Sequence, residues 1–134
     1  DYSGHNRILV EGGVPVSAGE NLHTIYDFQH MLQANGVSFI EPDVSNCGGI
    51  TVWMKVAKLA EAKNLPVTSH GVHDIHVHLL GAVPNASYLE VHGFGLERFI
   101  LEPLVVKDGF ALAGEAPGHG IDFNWDGLCA HTSD

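Results

Sequence analysis

The sequence predicts an α/β fold made of four parallel βα units, which is half of a (β/α)8 barrel. Two observations lead to this prediction. Four short apolar runs recur at nearly even spacing, and each ends on an ionisable residue. Stripes of apolar residues with helical periodicity lie between the runs. A complete barrel needs about 250 residues, whereas this chain has 134, so its length suits half of such a domain.

The four apolar runs predict the strands, and the spacing between them leaves room for one helix and two loops each. We expect parallel strands near residues 14–19, 37–42, 66–69 and 88–91. Because parallel strands carry their carboxyl ends on one face, the residues that end the runs should meet there. Barrels of this type keep their active sites on that face. The residues in question are Glu20, Asp43, His70 and Glu90.

The helices are predicted from apolar stripes and from start and stop signals. Thr24 followed three residues later by Asp27 is a capping-box pattern, and Gly36 should stop the helix that it begins. The stretch 51–64 is the clearest helix, and 75–83 predicts a shorter one. After residue 100 the pattern changes, and an Asp-Gly pair at 108–109 predicts the turn of a hairpin over 104–112.

The chemistry of the strand ends indicates a metal-assisted acid–base site. Glu20 is a carboxylate of the kind that Mg2+ binds together with water and substrate oxygens. Asp43 and His70 end consecutive strands, so the carboxylate can accept the Nδ1–H of the imidazole and leave Nε2 as a general acid or base. Glu90 could hydrogen-bond a substrate carboxylate when protonated. The alternative for each is an ordinary loop residue.

Composition limits the partners that we expect. The net charge is −10, from 6 basic and 16 acidic residues, which argues against nucleic acid and anionic membranes as partners. The charge fits a carboxylate cluster neutralised by a cation, although ordinary acidic solubility explains it equally well. Two cysteines and no signal-peptide pattern lead us to expect a reducing, cytoplasmic location.

Several motifs, taken in order, resemble those of one family. The chain is similar to the C-terminal half of the enolase superfamily, in its mandelate racemase/muconate lactonizing enzyme group, and the likeness covers roughly residues 10–120. The strand motifs are Pro15-Val16-Ser17-Ala18-Gly19-Glu20-Asn21, Glu41-Pro42-Asp43-Val44-Ser45-Asn46-Cys47-Gly48-Gly49, Ser69-His70-Gly71 and Tyr88-Leu89-Glu90-Val91-His92. The tail from Lys107-Asp108-Gly109-Phe110 to Ala116-Pro117-Gly118-His119-Gly120 is also similar.

The resemblance implies strands five to eight of a TIM-type barrel and a role for each strand-end residue. It makes Glu20 the third Mg2+ ligand, Asp43 and His70 a catalytic dyad, and Glu90 the acid that hydrogen-bonds the substrate carboxylate. The family's chemistry is removal of the proton α to a carboxylate, with Mg2+ stabilising the enediolate. The Asn21-Leu22-His23 run and the His-Gly after Ser69 most resemble acid-sugar dehydratases, which makes Asn21 and His23 candidate substrate-binding residues.

The resemblance also shows what this chain lacks. The family's first two metal ligands, its Lys-x-Lys base on the second strand and its N-terminal capping domain have no counterpart here. We therefore expect residues 1–103 to be the C-terminal half of a barrel catalytic domain and 104–134 a hairpin and tail that pack on the missing capping domain. The expected partners are a sugar-acid substrate and either the N-terminal half of the same enzyme or further copies of the chain.

Three other interpretations remain open. A racemase, epimerase or cycloisomerase of the same superfamily would share the first chemical step. A half-barrel that lacks these ligands could instead be inactive and have a structural role. The remote alternative is a zinc amidohydrolase, since His76 and His78 form a His-x-His pair that could share a Zn2+ if they lay on a strand.

Overall fold

The computed structural model describes residues 1–93 and 96–131. Helix α1 (Tyr2–Gly12) precedes strand β1 (Ser17–Ala18), helix α2 (Ile25–Gln33), strand β2 (Phe39–Ile40), helix α3 (Ile50–Ala62) and helix α4 (His73–Gly81). A 3-10 helix (Leu96–Phe99) then leads to strands β3 (Val105–Lys107) and β4 (Phe110–Leu112) and to helix α5 (Trp125–Cys129). In the described part of the chain, no helix is long and apolar enough to cross a membrane.

Four consecutive extended segments pair in parallel, in the order of the chain. Strand β1 pairs with β2, with Ser17 opposite Phe39. Single parallel bridges then connect Ile40 to Val67 and Val67 to Ala86. Helices α2, α3 and α4 provide the three connections between these segments. The prediction of parallel strands joined by helices is therefore confirmed.

The regular strands are shorter than predicted, and side chains explain the last one. The backbone bridge on the fourth segment lies at Ala86, ahead of the predicted 88–91. Beyond it, the Thr68 hydroxyl donates to the Tyr88 carbonyl at 2.6 Å, and the Ser69 hydroxyl accepts from the Glu90 N–H at 3.1 Å. Side-chain hydroxyls thus take over from the backbone hydrogen bonds, so the segment stays beside its neighbour without forming a ladder.

Helix α2 begins where the sequence predicted. The Thr24 side chain accepts from the Asp27 N–H, and the Asp27 carboxylate accepts from the Thr24 N–H at 3.1 Å, so the capping box is complete. Helix α3 begins at Gly49 without a side-chain cap. Helix α1 was not predicted, because it has no buried residue and its sequence shows only a short apolar cluster.

The core lies between the parallel segments and the helices that connect them. Helices α2 and α3 pack on each other and bury Phe28 and Trp53 completely, together with Ile40 and Val67 of the extended segments. The Trp53 indole N–H donates to the Pro42 carbonyl at 3.1 Å. This bond fixes the loop that follows β2, which is where the candidate catalytic residues begin.

The His-x-His pair lies on a helix, so its interpretation as a zinc site is wrong. His76 and His78 are in α4, where residues two apart point in different directions, and only a strand would bring them to one face. His76 is completely buried and makes hydrogen bonds to backbone groups. Among the described residues there is no group of three or more metal-binding side chains.

The predicted C-terminal hairpin is confirmed. Strands β3 and β4 pair antiparallel, with Lys107 opposite Phe110. Asp108 and Gly109 both have positive φ, 53° and 82°, which is the geometry of a type I′ turn. Most of the hairpin is exposed, including Phe110 at 73%.

The capping box predicts a measurable loss of stability. Thr24→Ala removes the oxygen that accepts from the Asp27 N–H, and we expect it to lower the free energy of unfolding by about 1 kcal/mol. Thr51→Ala is the matched control, because Thr51 lies in the first turn of α3, is exposed and caps nothing. It should change the free energy by no more than about 0.5 kcal/mol. Urea denaturation measures both, and equal losses would contradict this role of Thr24.

Candidate active site

The four predicted strand-end residues come together on one side of the parallel segments. The negative charges of Glu90, Asp43 and Glu20 all act on the His70 imidazole, and Asp43 is in direct contact with it. Each residue lies a few positions after the last paired residue of its extended segment. These paired residues are Ala18, Ile40, Val67 and Ala86, in the order of the chain. The parallel order of the segments therefore gathers three carboxylates around one imidazole.

Asp43 and His70 form a hydrogen-bonded pair. His70 Nδ1 lies 3.1 Å from Asp43 Oδ2, and the Asp43 side chain is 7% exposed while that of His70 is 40% exposed. The other carboxylate oxygen, Oδ1, accepts from the Ser45 N–H at 2.7 Å and from the Ser45 hydroxyl at 2.6 Å. Asp43 is thus held from both sides, and its bond to Nδ1 leaves Nε2 as the ring nitrogen not engaged by Asp43.

The pKa values of the two residues move in opposite directions. Burial would raise the pKa of Asp43, but hydrogen bonds from Ser45 and His70 outweigh it and hold the pKa below its ordinary value. Burial would lower the pKa of His70, but the bond to Asp43 and the charges of the nearby carboxylates raise it. Both shifts favour an ionised carboxylate beside a protonated imidazole.

Glu90 is joined to the same pair through Gly71. The Gly71 N–H donates to Glu90 Oε2 at 2.8 Å. Gly71 has a φ of 67°, and a Cβ atom at this position would lie 2.8 Å from Asp43 Oδ2. Only glycine therefore allows the backbone to take this conformation, bind Glu90 and approach Asp43 so closely.

Glu20 is held mainly by its neighbours in sequence. Its carboxylate accepts from the Gly19 N–H and from the Asn21 side-chain amide, both at 3.1 Å. The Asn46 side chain donates to the Glu20 carbonyl at 3.1 Å, and His23 Nδ1 lies 3.4 Å from the Asn46 carbonyl. Asn21 and His23, the two candidate substrate-binding residues, are exposed at the edge of this group.

The site fits a magnesium ion in the type of its ligand but not in the number of ligands. Glu20 offers the hard oxygen donor that Mg2+ prefers. However, no three side chains of the His, Cys, Asp or Glu types form a metal-binding group in residues 1–93 and 96–131. These residues can therefore supply one protein ligand and not a complete metal centre.

Sequence reasoning missed one acidic residue of this group, Glu41. The Ser17 hydroxyl donates to Glu41 Oε2 at 2.6 Å. Burial raises the pKa of Glu41 despite this bond, and the charges of Glu20 and Glu90 raise it further. Strand alternation could have identified Glu41, since it lies two residues before Asp43 and so on the same face.

A cavity of about 290 Å³ lies beside the dyad. Its lining includes His73, whose ring packs edge-on against that of His92 with centroids 5.2 Å apart. These two histidines were not predicted as site residues, although His92 ends one of the strand motifs. The lining residues nearest the chemistry are Asp43, His70 and Gly71. The cavity therefore borders the His70 imidazole.

Parallel βα units with a carboxylate–imidazole pair at the strand ends define an α/β domain whose ionisable residues gather at the carboxyl ends of its strands. The chain belongs to the enolase C-terminal domain-like family, whose model matches residues 1–127. Its structural neighbours include the mandelate racemase/muconate lactonizing enzyme group. The resemblance found in the sequence motifs is thereby confirmed.

Three similar proteins are informative. A 3,6-anhydro-alpha-L-galactonate cycloisomerase of Streptomyces coelicolor is 49% identical over 96% of this chain and 36% of its own. A racemase of Streptomyces coelicolor A3(2), crystallised with magnesium, has a TM-score of 0.91 and 46% identity, covering 97% of this chain and 36% of that one. An L-talarate dehydratase of Polaromonas sp. JS666 was crystallised with Mg and L-glucarate. It has a TM-score of 0.88 and 29% identity, covering 100% of this chain and 37% of that one. The chain thus spans about a third of the length of these relatives.

Gly71 provides a test of the dyad geometry. Gly71→Ala should place a methyl group against Asp43 Oδ2 and displace it from His70. Gly109→Ala is the control, since Gly109 also has a positive φ but no other atom lies within 4 Å of where its Cβ would be. Both should lose about 1–2 kcal/mol through backbone strain. Only Gly71→Ala should also lower the pKa of His70, measured by NMR titration; identical titrations in the two variants would contradict this geometry.

The opposite pKa shifts predict a pH window for the stability of the pair. Asp43 contributes stability above its ordinary pKa of 3.8 and loses it as the pH falls through the lower folded value. His70 contributes fully below its ordinary pKa of 6.5 and loses this as the pH rises through the higher folded value. The difference in unfolding free energy between the wild type and His70→Asn should therefore be largest between the two ordinary pKa values, 3.8 and 6.5. A difference that does not vary with pH would contradict the coupling.

Proposed function

We propose that this chain is the part of an enolase-superfamily enzyme that contains strands five to eight of the barrel. The enzyme removes the proton α to the carboxylate of a sugar acid and then expels the oxygen on the β-carbon. The observation that supports this most directly is the hydrogen bond between Asp43 and His70 at neighbouring strand ends. The family membership and the sugar-acid ligands of relatives support the substrate class.

His70 is the residue that moves the proton. With Nδ1 donating to Asp43, Nε2 is the nitrogen that takes the α-proton or gives a proton to the departing oxygen. Asp43 keeps the ring in this tautomer and stabilises the imidazolium that forms. The 40% exposure of the His70 side chain and the cavity beside it give a substrate access to this nitrogen.

Glu90 and Glu20 act on the substrate carboxylate. Glu90 has one oxygen bound to the Gly71 N–H, so its other oxygen is the one to hydrogen-bond the substrate when protonated. Glu20 would supply one ligand to Mg2+, and the ion would supply positive charge beside the substrate carboxylate. Asn21 and His23, which follow Glu20 in the sequence, are the proposed substrate-binding residues.

The position of the β-oxygen in the substrate decides the reaction class. In an open-chain aldonic or aldaric acid it is a hydroxyl and leaves as water, so the reaction is a dehydration and the enzyme a lyase. In a 3,6-anhydro acid the β-oxygen belongs to a ring, and breaking its bond to the β-carbon opens the ring without loss of atoms. The same residues would then catalyse an isomerisation. The 49% identity to a cycloisomerase favours this second candidate.

The rest of the site must come from outside the described chain. This chain covers about a third of the relatives' length. The remaining metal ligands and a second base would lie in the other two-thirds of the enzyme. Residues 1–103 would complete the barrel, and 104–134 would pack on a capping domain. We further propose a cytoplasmic, homo-oligomeric enzyme. An inactive half-barrel is the competing proposal, and it predicts no turnover in any form of the protein.

Activity measurements test the dyad. In the complete enzyme, His70→Asn should lower turnover by about 10²–10⁴-fold, because the group that moves the proton is gone. Asp43→Asn should lower it less, through a misplaced tautomer. Mg2+ affinity should survive His70→Asn but fall with Glu20→Gln. His30→Asn is the matched control, since His30 is exposed on α2, away from the site.

The substrates should include aldonic, aldaric and 3,6-anhydro-galactonic acids, assayed in D2O for 2-keto product and for α-proton exchange. Keto product from open-chain acids supports the dehydratase, and product from the anhydro acid alone supports the cycloisomerase. Exchange without product would indicate a racemase or epimerase. Turnover within a few-fold of the wild type in His70→Asn would refute the role of the dyad.

A further inference from the structure

His76 connects the two loops that contain the proposed dyad. It lies in α4, is completely buried and is too far inside the fold to meet a substrate. Its Nε2 accepts from the Val44 N–H at 3.1 Å. Its Nδ1 lies 3.0 Å from the Gly71 carbonyl and 3.1 Å from the Val72 carbonyl. One imidazole ring therefore joins backbone groups that are far apart in sequence.

Only one form of the ring satisfies these contacts. Nε2 must be unprotonated to accept from Val44, and Nδ1 must bear a proton to donate to the Gly71 carbonyl. A protonated ring would point Nε2–H at the Val44 N–H, and two donors would then face each other. Burial is the main reason why the pKa of His76 lies below its ordinary value, which favours the same neutral form.

The backbone groups that His76 binds adjoin the proposed catalytic residues. Val44 directly follows Asp43, and Gly71 directly follows His70. While the Gly71 carbonyl faces His76, the Gly71 N–H donates to Glu90 Oε2 at 2.8 Å. A shift of either loop would change the 3.1 Å separation between Asp43 and His70, and a shift of Gly71 would also move Glu90.

A second buried ring supports this arrangement from the other side. Trp53 packs against His76 with ring centroids 6.0 Å apart, and its indole N–H donates to the Pro42 carbonyl at 3.1 Å. The residues before and after Asp43 are thus each bonded to a buried side chain. His76 is the one of the two rings that also reaches the loop after His70.

We propose that His76 is a positioning residue, which in its neutral Nδ1–H form holds the loops of Asp43 and His70 at the separation that their hydrogen bond requires. The inference rests on the proposed function only in calling this pair catalytic. The geometric claim concerns the pair itself and can be tested without a substrate.

Three substitutions at position 76 separate the two bonds. His76→Phe keeps the ring and removes both bonds. The amide nitrogen of Asn lies where Nδ1 does, so His76→Asn keeps only the donation to Gly71. The amide oxygen of Gln lies where Nε2 does, so His76→Gln keeps only the acceptance from Val44. His78→Phe, two residues along the same helix, is the matched control for placing a phenyl ring in α4.

The readout is the pKa of His70, followed by NMR titration of its ring. In the wild type it should lie above the ordinary value of 6.5. We expect His76→Phe to lose most of this shift, His76→Asn and His76→Gln to retain part of it, and His78→Phe to retain all of it. If His76→Phe lowers the stability in urea but leaves the His70 pKa unchanged, His76 is merely a core residue and the proposal is wrong.

A measurement on the wild-type chain keeps the proposal testable if His76→Phe does not fold. The 15N signals of His76 should show a protonated Nδ1 and a bare Nε2 throughout the titration of His70. A protonated Nε2 would overturn the proposal. Neither measurement uses a substrate, so the two proposals can fail separately. If the His70 pKa depends on His76 but the enzyme is inactive, only the proposed function is refuted. If the enzyme is active but the His70 pKa does not depend on His76, only the role of His76 is refuted.

Discussion

The hydrogen bonds on both sides of the segment around Val67 set the geometry of the whole site. On one side, the Thr68 N–H donates to the Ile40 carbonyl at 2.9 Å. On the other, the Val67 N–H donates to the Asn85 carbonyl at 2.9 Å, and the Ser87 N–H donates to the Val67 carbonyl at 2.8 Å. Parallel neighbours are spaced about 4.8 Å apart, so residues just beyond these bonds must face one another. The pairing of Asp43 with His70 follows from this spacing, while the last step that holds Glu90 beside them is made by side chains.

The charge distribution of the site follows from this crowding. Glu20, Glu41, Asp43 and Glu90 lie around a single imidazole that is only partly able to neutralise them. Like charges at close range disfavour ionisation unless a cation or hydrogen-bond donors are nearby. Asp43 has such donors in Ser45 and His70. Burial raises the pKa of Glu41, the charges of Glu20 and Glu90 raise it further, and the bond from the Ser17 hydroxyl does not offset them. The site thus concentrates negative charge that a bound cation would neutralise.

A structural feature can be predicted from this sequence when the residues that cause it are close together in the chain. The capping box of Thr24 and Asp27 and the Asp108-Gly109 turn depend on a few adjacent residues, and both were predicted correctly. The nearness of Asp43 and His70 followed from the parallel order alone. By contrast, His76 is identified as a link only by packing between segments about thirty residues apart. Helix α1 has no buried face to create a pattern, and no periodicity reveals that the Thr68 and Ser69 hydroxyls replace a backbone ladder.

The hydroxyl bonds of Thr68 and Ser69 make the location of Glu90 depend on side chains. A backbone ladder is formed by main-chain groups that every residue except proline supplies, so most single substitutions leave its hydrogen bonds in place. Here, the bonds to the Tyr88 carbonyl and the Glu90 N–H come from two replaceable side chains. A single substitution can therefore shift the acid relative to the imidazole while the Val67 bridges stay intact.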